Sequence, residues 1–327
     1  MLRATFAVLL LSLAADGRAA LRSGYSTVGM TVDGTICVDA ASGEVLSQNQ
    51  PDVAGHPASV TKLMTMLLVL EDVQAGKTTF ATRVQVTKAA AGVGGSQVWL
   101  APGEQFPVEE LLYAIMLQSA NDAAVALAID RAGTVPAFVE RMNRRAAELG
   151  MTRTRFVTPN GLTTGAGPHD TTTARDLAKL CVELCKRPEA LRFTGTKTHN
   201  FARFLKPVAM TNHNHLLPTF PGCDGLKTGW TVAAKASMAT TAAEGSRRVI
   251  AVVLGCDSPQ GAKAAQRLRD ELARDLMMDG LTKLAAKDLA KETQAKTTTV
   301  AAVPVKKAPV VREEPGFWAW VGGLFSF

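Results

Sequence analysis

Residues 225–255 read GLKTGWTVAAKASMATTAAEGSRRVIAVVLG, three runs of strand character at 225–231, 235–241 and 248–255 joined by short turns. Such short connections join antiparallel neighbours, because a parallel return needs a crossover of about a dozen residues or more. The stretch is therefore an antiparallel meander, and the helical period that follows at 262–278 gives it a closing helix. Upstream, the pattern is helical. An apolar helix starts at Ser59 and carries Leu63, Met64, Leu67 and Leu68, with Gly76 as its stop. A second runs over 108–116, entered by Pro107 and by Glu109 and Glu110, whose charges suit the positive end of a helix dipole. A third is expected over 121–129 and a fourth over 175–185, where Thr173 and Asp176 have the form of a capping box. At the N-terminal end, 34–48 has two apolar runs around Asp39-Ala40-Ala41-Ser42-Gly43 and reads as a hairpin. The fold class is α+β, with a sheet built from both ends of the chain and a helical block between them.

The 327 residues are 47% hydrophobic and 20% charged, enough for one large core or two modest ones. The net charge of +7 does not point to nucleic acid: residues 281–312 hold seven Lys or Arg against two Asp or Glu, and aromatics are only 6% of the chain. A nucleic-acid domain needs basic residues spread over a folded face with stacking aromatics among them. Residues 1–20 read as a secretory signal peptide: Arg3, an apolar run at 6–15, then Gly17-Arg18-Ala19. That run is about half of the ~20 residues a spanning helix needs, so cleavage and export are expected rather than an anchor. Five cysteines (Cys37, Cys181, Cys185, Cys223, Cys256) are an odd number, which excludes a fully paired disulfide framework within one chain. Cys181 and Cys185 have no further ligand nearby at metal spacing, and His213 and His215 lack a third partner, so no metal or cofactor is expected. The composition changes to Ala, Lys, Thr, Val and Pro after Lys283, giving a linker at 284–316. The closing segment 317–327, FWAWVGGLFSF, is uncharged and too short to span a bilayer, but fits the headgroup zone of a membrane surface; packing on the domain or on a partner is the alternative. The domain plan is thus 1–20, 21–283, 284–316 and 317–327.

Three motifs carry chemistry. Ser59-Val60-Thr61-Lys62 sets a hydroxyl at a helix start with an amine three residues later on the same face, a nucleophile beside a base whose pKa burial or nearby cations could lower. Ser119-Ala120-Asn121 lies between two apolar helices and offers a hydroxyl to relay a proton and an amide that donates and accepts. Lys227-Thr228-Gly229 falls on the first strand of the meander, where a cation and a hydroxyl could hold a carboxylate and the glycine allows close approach. Each motif alone is weak, but the order S-x-x-K, S-x-N, K-T-G, with these spacings and contexts, is that of the penicillin-recognising active-site serine enzymes.

On these motifs, and on Pro57–Thr65, Leu117–Ala123, Thr158–Leu162, His169–Asp176 and Asp224–Thr231 around them, the sequence resembles the low-molecular-weight penicillin-binding proteins that act as D-alanyl-D-alanine carboxypeptidases, over roughly residues 25–281. The resemblance implies a β-lactamase and transpeptidase type of fold, an antiparallel sheet with helices on both faces. It implies Ser59 as nucleophile, Lys62 as base and Ser119 as proton relay. Asn121, Lys227, Thr228, Gly229 and Trp230 would bind substrate, with the N–H groups of Ser59 and Trp230 as oxyanion hole. Arg269, matched through the helix end at 276–281, would join Lys227 and Thr228 on the terminal carboxylate; Arg267 and Arg274 lie close by. The resemblance implies the peptidoglycan stem peptide and β-lactam inhibitors as partners; the aromatic tail adds the cytoplasmic membrane surface, and the expected location is the periplasm or the outer face of the cytoplasmic membrane, peripherally anchored.

Two departures stand out. The segment after Lys283 is too short and polar for a second β-rich domain, and Ala233-Ala234-Lys235-Ala236-Ser237 differs from the usual wall segment. Three other readings compete. A class A β-lactamase needs a Glu-x-x-Leu-Asn loop, and Glu189-Ala190-Leu191-Arg192 lacks that form. A D,D-endopeptidase would use the same residues on cross-linked peptides. A non-catalytic wall-binding protein has no need of all of Ser59, Lys62, Ser119, Asn121, Lys227 and Thr228. His169-Asp170 is read as structural, since turns and helix entries favour Asp.

Overall fold

The N-terminal hairpin is β1 (Gly34–Asp39) and β2 (Val45–Asn49), turned where the Asp39 carboxylate accepts from the Ala41 N–H (3.1 Å) and the Ser42 hydroxyl (2.6 Å). A 3₁₀ turn at Ala58–Thr61 leads into α1 (Lys62–Gln74). Then come β3 (Arg83–Gln85), α2 (Lys88–Ala91), β4 (Gln105–Pro107), α3 (Val108–Tyr113), a π turn at Ala114–Gln118, α4 (Asn121–Ala132) and α5 (Val135–Glu148). After α6 (Ala174–Cys185) and α7 (Pro188–Gly195), a small hairpin, β5 (Thr198–Phe201) and β6 (Val208–Thr211), precedes the meander β7 (Cys223–Thr231), β8 (Lys235–Glu244), β9 (Arg247–Cys256) and the closing helix α8 (Ala262–Ala301). This computed structural model describes residues 29–163, 167–203 and 207–301; residues 1–20 and 317–327, read from sequence as leader and interfacial tail, lie outside them.

The two ends of the chain build one antiparallel sheet of five strands in the order β2-β1-β9-β8-β7, joined where Ile36 faces Val252 and Cys37 faces Ala251. Side chains alternate across it with the period of a strand. Ile36, Val38, Ile250, Val252 and Leu254 enter one core with the helical block, whereas Cys37, Val249, Ala251 and Val253 enter a second with Leu268, Ala273 and Met277 of α8. Helices therefore cover both faces, as expected for this α+β class. In the first core α1 is apolar nearly all round, with 63–70 buried throughout, which makes it a central helix rather than a surface one.

Local expectations differ from the structure in three places. The helix expected over 108–116 gives way after Tyr113 to the π turn, which ends at Ser119 in the left-handed region (φ 60°, ψ 29°). Thr173 caps α6 by accepting from the Asp176 N–H (3.1 Å), but the Asp176 carboxylate turns outward to the Arg153 N–H (2.8 Å), the Thr154 hydroxyl (3.0 Å) and Lys179 (3.1 Å) instead of completing the box. The closing helix, expected to end at Met278, runs to Ala301, and Leu284 is buried. Ala, Lys, Leu, Glu and Gln are good helix formers, so a shift to them does not stop a helix. The chain divides into two units, one ending at Ala285 and the next beginning at Ala286. No helix of the described residues is long and apolar enough to cross a membrane.

Candidate active site

The first motif is positioned by backbone that only certain neighbours permit. Ser59 is the one residue of the Ala58–Thr61 turn that is not buried, and Ala58 before it has φ +46°, a left-handed conformation that is costly for a residue with a Cβ. Gly161 (φ +80°) lies against this turn so closely that a Cβ there would come within 1.8 Å of the Ala58 carbonyl oxygen. Gly229 on β7 closes on the same turn from the other side, where a Cβ would be 2.6 Å from the Pro57 carbonyl oxygen and 3.0 Å from the Ser59 nitrogen. The two glycines let a loop and a strand pack on the backbone at Ser59.

Lys62, in the first turn of α1, is wholly buried, and its Nζ has three neighbours: Ser59 Oγ at 2.9 Å, Asn121 Oδ1 at 2.7 Å and the Asn160 carbonyl at 2.7 Å. Asn121 opens α4. Its Nδ2 donates to the Gly94 carbonyl (2.8 Å) and its N–H to the Ser96 carbonyl (2.7 Å), which fixes the amide with its oxygen toward Lys62. The lysine's pKa is held well below the ordinary value, first by burial and then by the charge of Lys227; Asp170 and Asp122 oppose this from a distance. A neutral amine has two N–H groups and one lone pair. Two of its three neighbours here can only accept, so the lone pair is left for the Ser59 hydroxyl.

Lys227 projects from β7, buried, with its Nζ donating to the Thr228 carbonyl (2.9 Å). Burial and the nearby Arg269 push its pKa down to about 7. Thr228 and Gly229 are buried on the same strand, while Trp230 is exposed. Arg269, expected only through alignment of the helix end, is 3% exposed on α8, and its charge acts on Lys227. Arg274, by contrast, is tied to Thr219 on the surface. Ser119 is buried and is itself the residue, held in the left-handed region, that ends the π turn. Two carboxylates hold these parts in place. Asp122 accepts from the N–H groups of Val98 (3.3 Å), Leu100 (3.0 Å) and Ala123 (2.9 Å), and Asp170 from Val157 (2.6 Å), Thr158 (N–H 2.9 Å, hydroxyl 2.8 Å) and the Thr61 hydroxyl (3.1 Å).

Asp170 makes no side-chain bond to a histidine; His56 Nδ1 meets its backbone oxygen (2.9 Å). The structural reading of His169-Asp170 therefore holds, and Asp170 ties the loop 157–161 to the motif helix. His213 lies exposed on the loop before β7, and its pKa is pushed down to about 4, first by desolvation and then by the nearby charge of Lys227. Among the described residues no group of His, Cys, Asp and Glu could hold a metal ion, and all five cysteines are free. A groove of about 420 Å³ between β1, β2 and α6, lined by Ile36, Val38, Val45, Ala178 and Val182, contains none of the motif residues. Sequence reading missed Asn160, which acts through its backbone oxygen, and the close packing of Gly161; no side-chain pattern announces either.

Residues 25–258 match the profile of the D-alanyl-D-alanine carboxypeptidase family. The D-alanyl-D-alanine carboxypeptidase DacF of Bacillus subtilis is 38% identical over 230 residues, 70% of this chain and 58% of that protein, so the matched region spans a little over half of that relative's length. Among solved structures, the D-alanyl-D-alanine carboxypeptidase DacD of Francisella tularensis superposes with a TM-score of 0.71 at 29% identity, covering 76% of this chain and 70% of that one. Penicillin-binding protein D2 of Listeria monocytogenes, in an ampicillin-bound form, gives 0.66 at 29% identity over 76% and 97%.

Proposed function

The chain belongs to the D-alanyl-D-alanine carboxypeptidase family, and on that premise we propose that it is a serine D,D-carboxypeptidase that removes the terminal D-alanine of peptidoglycan stem pentapeptides through an acyl-enzyme on Ser59. The observation that carries the reading is the Lys62 amine, buried, 2.9 Å from Ser59 Oγ and flanked by two acceptors.

The neutral Lys62 takes the Ser59 proton as Oγ attacks the carbonyl carbon between the two D-alanines. The oxyanion is held by the N–H groups of Ser59 and Trp230, an arrangement that costs no reorganisation and requires no particular side chain at 230. As the C–N bond breaks, the proton passes from Lys62 through the Ser119 hydroxyl to the leaving amine. Water then attacks the ester, Lys62 again accepting the proton, and Ser59 is restored. Lys227, Thr228 and Arg269 hold the terminal carboxylate. Inhibition by penicillins follows from the same acylation, as the ampicillin-bound Listeria relative supports. Export under a leader at 1–20, a catalytic domain over 21–283, a connecting segment at 284–316 that begins as the end of α8, and attachment to the outer face of the cytoplasmic membrane by 317–327 complete the proposal and rest on the sequence pattern.

The test is free D-alanine released from a pentapeptide ending in D-Ala-D-Ala, run beside a cross-linked dimer and with Ser59→Ala as control. Release that disappears in the variant is the expected result. Cleavage of the dimer alone would make the protein an endopeptidase, and no turnover with no adduct on Ser59 would leave a wall-binding protein.

A further inference from the structure

Arg269 is an odd cation to find at a carboxylate site, because it is already engaged by an acid. Its Nε (2.9 Å) and Nη2 (2.7 Å) both donate to one oxygen of Asp270, the next residue of the same helix. Side chains at i and i+1 of a helix point about 100° apart, so the guanidinium reaches Asp270 only by curling back along the helix surface. The other Asp270 oxygen meets His215 Nδ1 at 3.0 Å. His215 lies on the loop before β7, and its neighbour Asn214 donates from Nδ2 to the Gly225 carbonyl (3.0 Å), two residues before Lys227. Arg274 ties the same loop to the same helix through the Thr219 hydroxyl (3.1 Å), and Leu216 and Phe220 bury beside Leu268 and Ala273. A continuous chain thus runs from the guanidinium through Asp270, His215 and Asn214 to the strand that carries the K-T-G motif. Asp270 takes up the Nε side of the guanidinium; Nη1 makes no bond among the described residues and is left to face an incoming acceptor.

We propose that Asp270, braced by His215, is the positioning residue that aims Arg269 at the C-terminal carboxylate of the substrate and fixes its distance from Lys227. The inference rests on the carboxypeptidase reading and deepens it: selection of a free C-terminal carboxylate depends on a helix-to-strand strut as well as on the cations themselves. Without the carboxylate of Asp270, the guanidinium loses the partner that holds it curled and swings among rotamers, so carboxylate binding weakens while the Ser59–Lys62 chemistry is untouched.

The experiment measures KM and kcat for a peptide ending in L-Lys-D-Ala-D-Ala, and in parallel acylation of Ser59 by an acyl-D-alanyl thioester whose leaving group bears no carboxylate. Asp270→Asn should raise KM about tenfold, the scale of one lost charge-assisted hydrogen bond, with kcat within about twofold. The thioester reaction should be unchanged, and Asp270→Glu should recover part of the KM. His215→Ala, at a side chain 68% exposed, should shift KM the same way by about threefold, and it carries the test if Asp270→Asn does not fold. An unchanged KM, or peptide and thioester losing rate in parallel, overturns the inference while leaving the functional reading intact. A wild-type chain that releases no D-alanine overturns both.

Discussion

Two buried lysines, one in the first turn of α1 and one on β7, are treated in opposite ways. Lys62, at the start of α1, has Ser59 Oγ, Asn121 Oδ1 and the Asn160 carbonyl around its nitrogen, with no carboxylate in contact. Lys227, on β7, has among the described residues a single bond, to the Thr228 carbonyl. The first is saturated with neutral partners and desolvated, the surroundings of an amine kept unprotonated. The second is under-coordinated, with its pKa pushed to about 7, so an arriving carboxylate would supply the missing partner and restore its charge. Burial alone does not assign a lysine its role; the count and kind of its neighbours do. Lys227 also serves Lys62, since its charge depresses the pKa of that amine.

The contrast is tested most severely at the base. Lys62→Met should lower kcat/KM by about 10²–10⁴, the usual contribution of a positioned general base, with little change in substrate affinity. If KM rises and kcat does not fall, Lys62 is a binding group and the contrast fails. Lys227→Met should act the other way, raising KM about 10- to 100-fold for the loss of a charged hydrogen bond worth about 1.5–3 kcal/mol, with a smaller effect on kcat. The same variant sharpens the coupling between the two. Removing a neighbouring cation favours protonated Lys62, so its pKa rises and the acid limb of kcat should move to higher pH; an unmoved limb would mean that the two amines do not sense one another. In the wild type the alkaline limb of kcat/KM should fall as Lys227 loses its proton in the free protein, from near pH 7 upward. The last effect is read in stability rather than in rate, at Gly161. An alanine there would be strained at φ +80° by about 1–3 kcal/mol and would also drive Cβ to 1.8 Å from the Ala58 carbonyl oxygen, so a denaturant titration should show a loss beyond that strain alone.

Much of this arrangement is legible in the chain because it is local. The step from Ser59 to Lys62 is one helical turn, the K-T-G segment is one strand, and the hairpin and meander declare themselves by period. What is not legible is what arrives from far away in sequence. Asn160 contributes a backbone oxygen 98 positions from Lys62, and Asp170 reaches Thr61 across 109, with no pattern to mark either contact. No apolar period marks the π turn that ends at Ser119, and α8 outlasts its apolar pattern because its residues favour a helix even where they bury little. Nothing in the sequence marks Asp270; its contact with His215 comes only from the fold.

The most direct measurement is an NMR titration of lysine Nζ protonation in protein labelled at lysine Cε, with Lys62→Met and Lys227→Met used to assign the two signals. Lys62 should lose its proton well below the ordinary lysine range, and Lys227 should titrate near pH 7, moving upward when a carboxylate-bearing peptide is added to Ser59→Ala protein. A Lys62 signal that stays protonated through pH 9 would contradict it, because the amine beside Ser59 would then have no lone pair to take the proton.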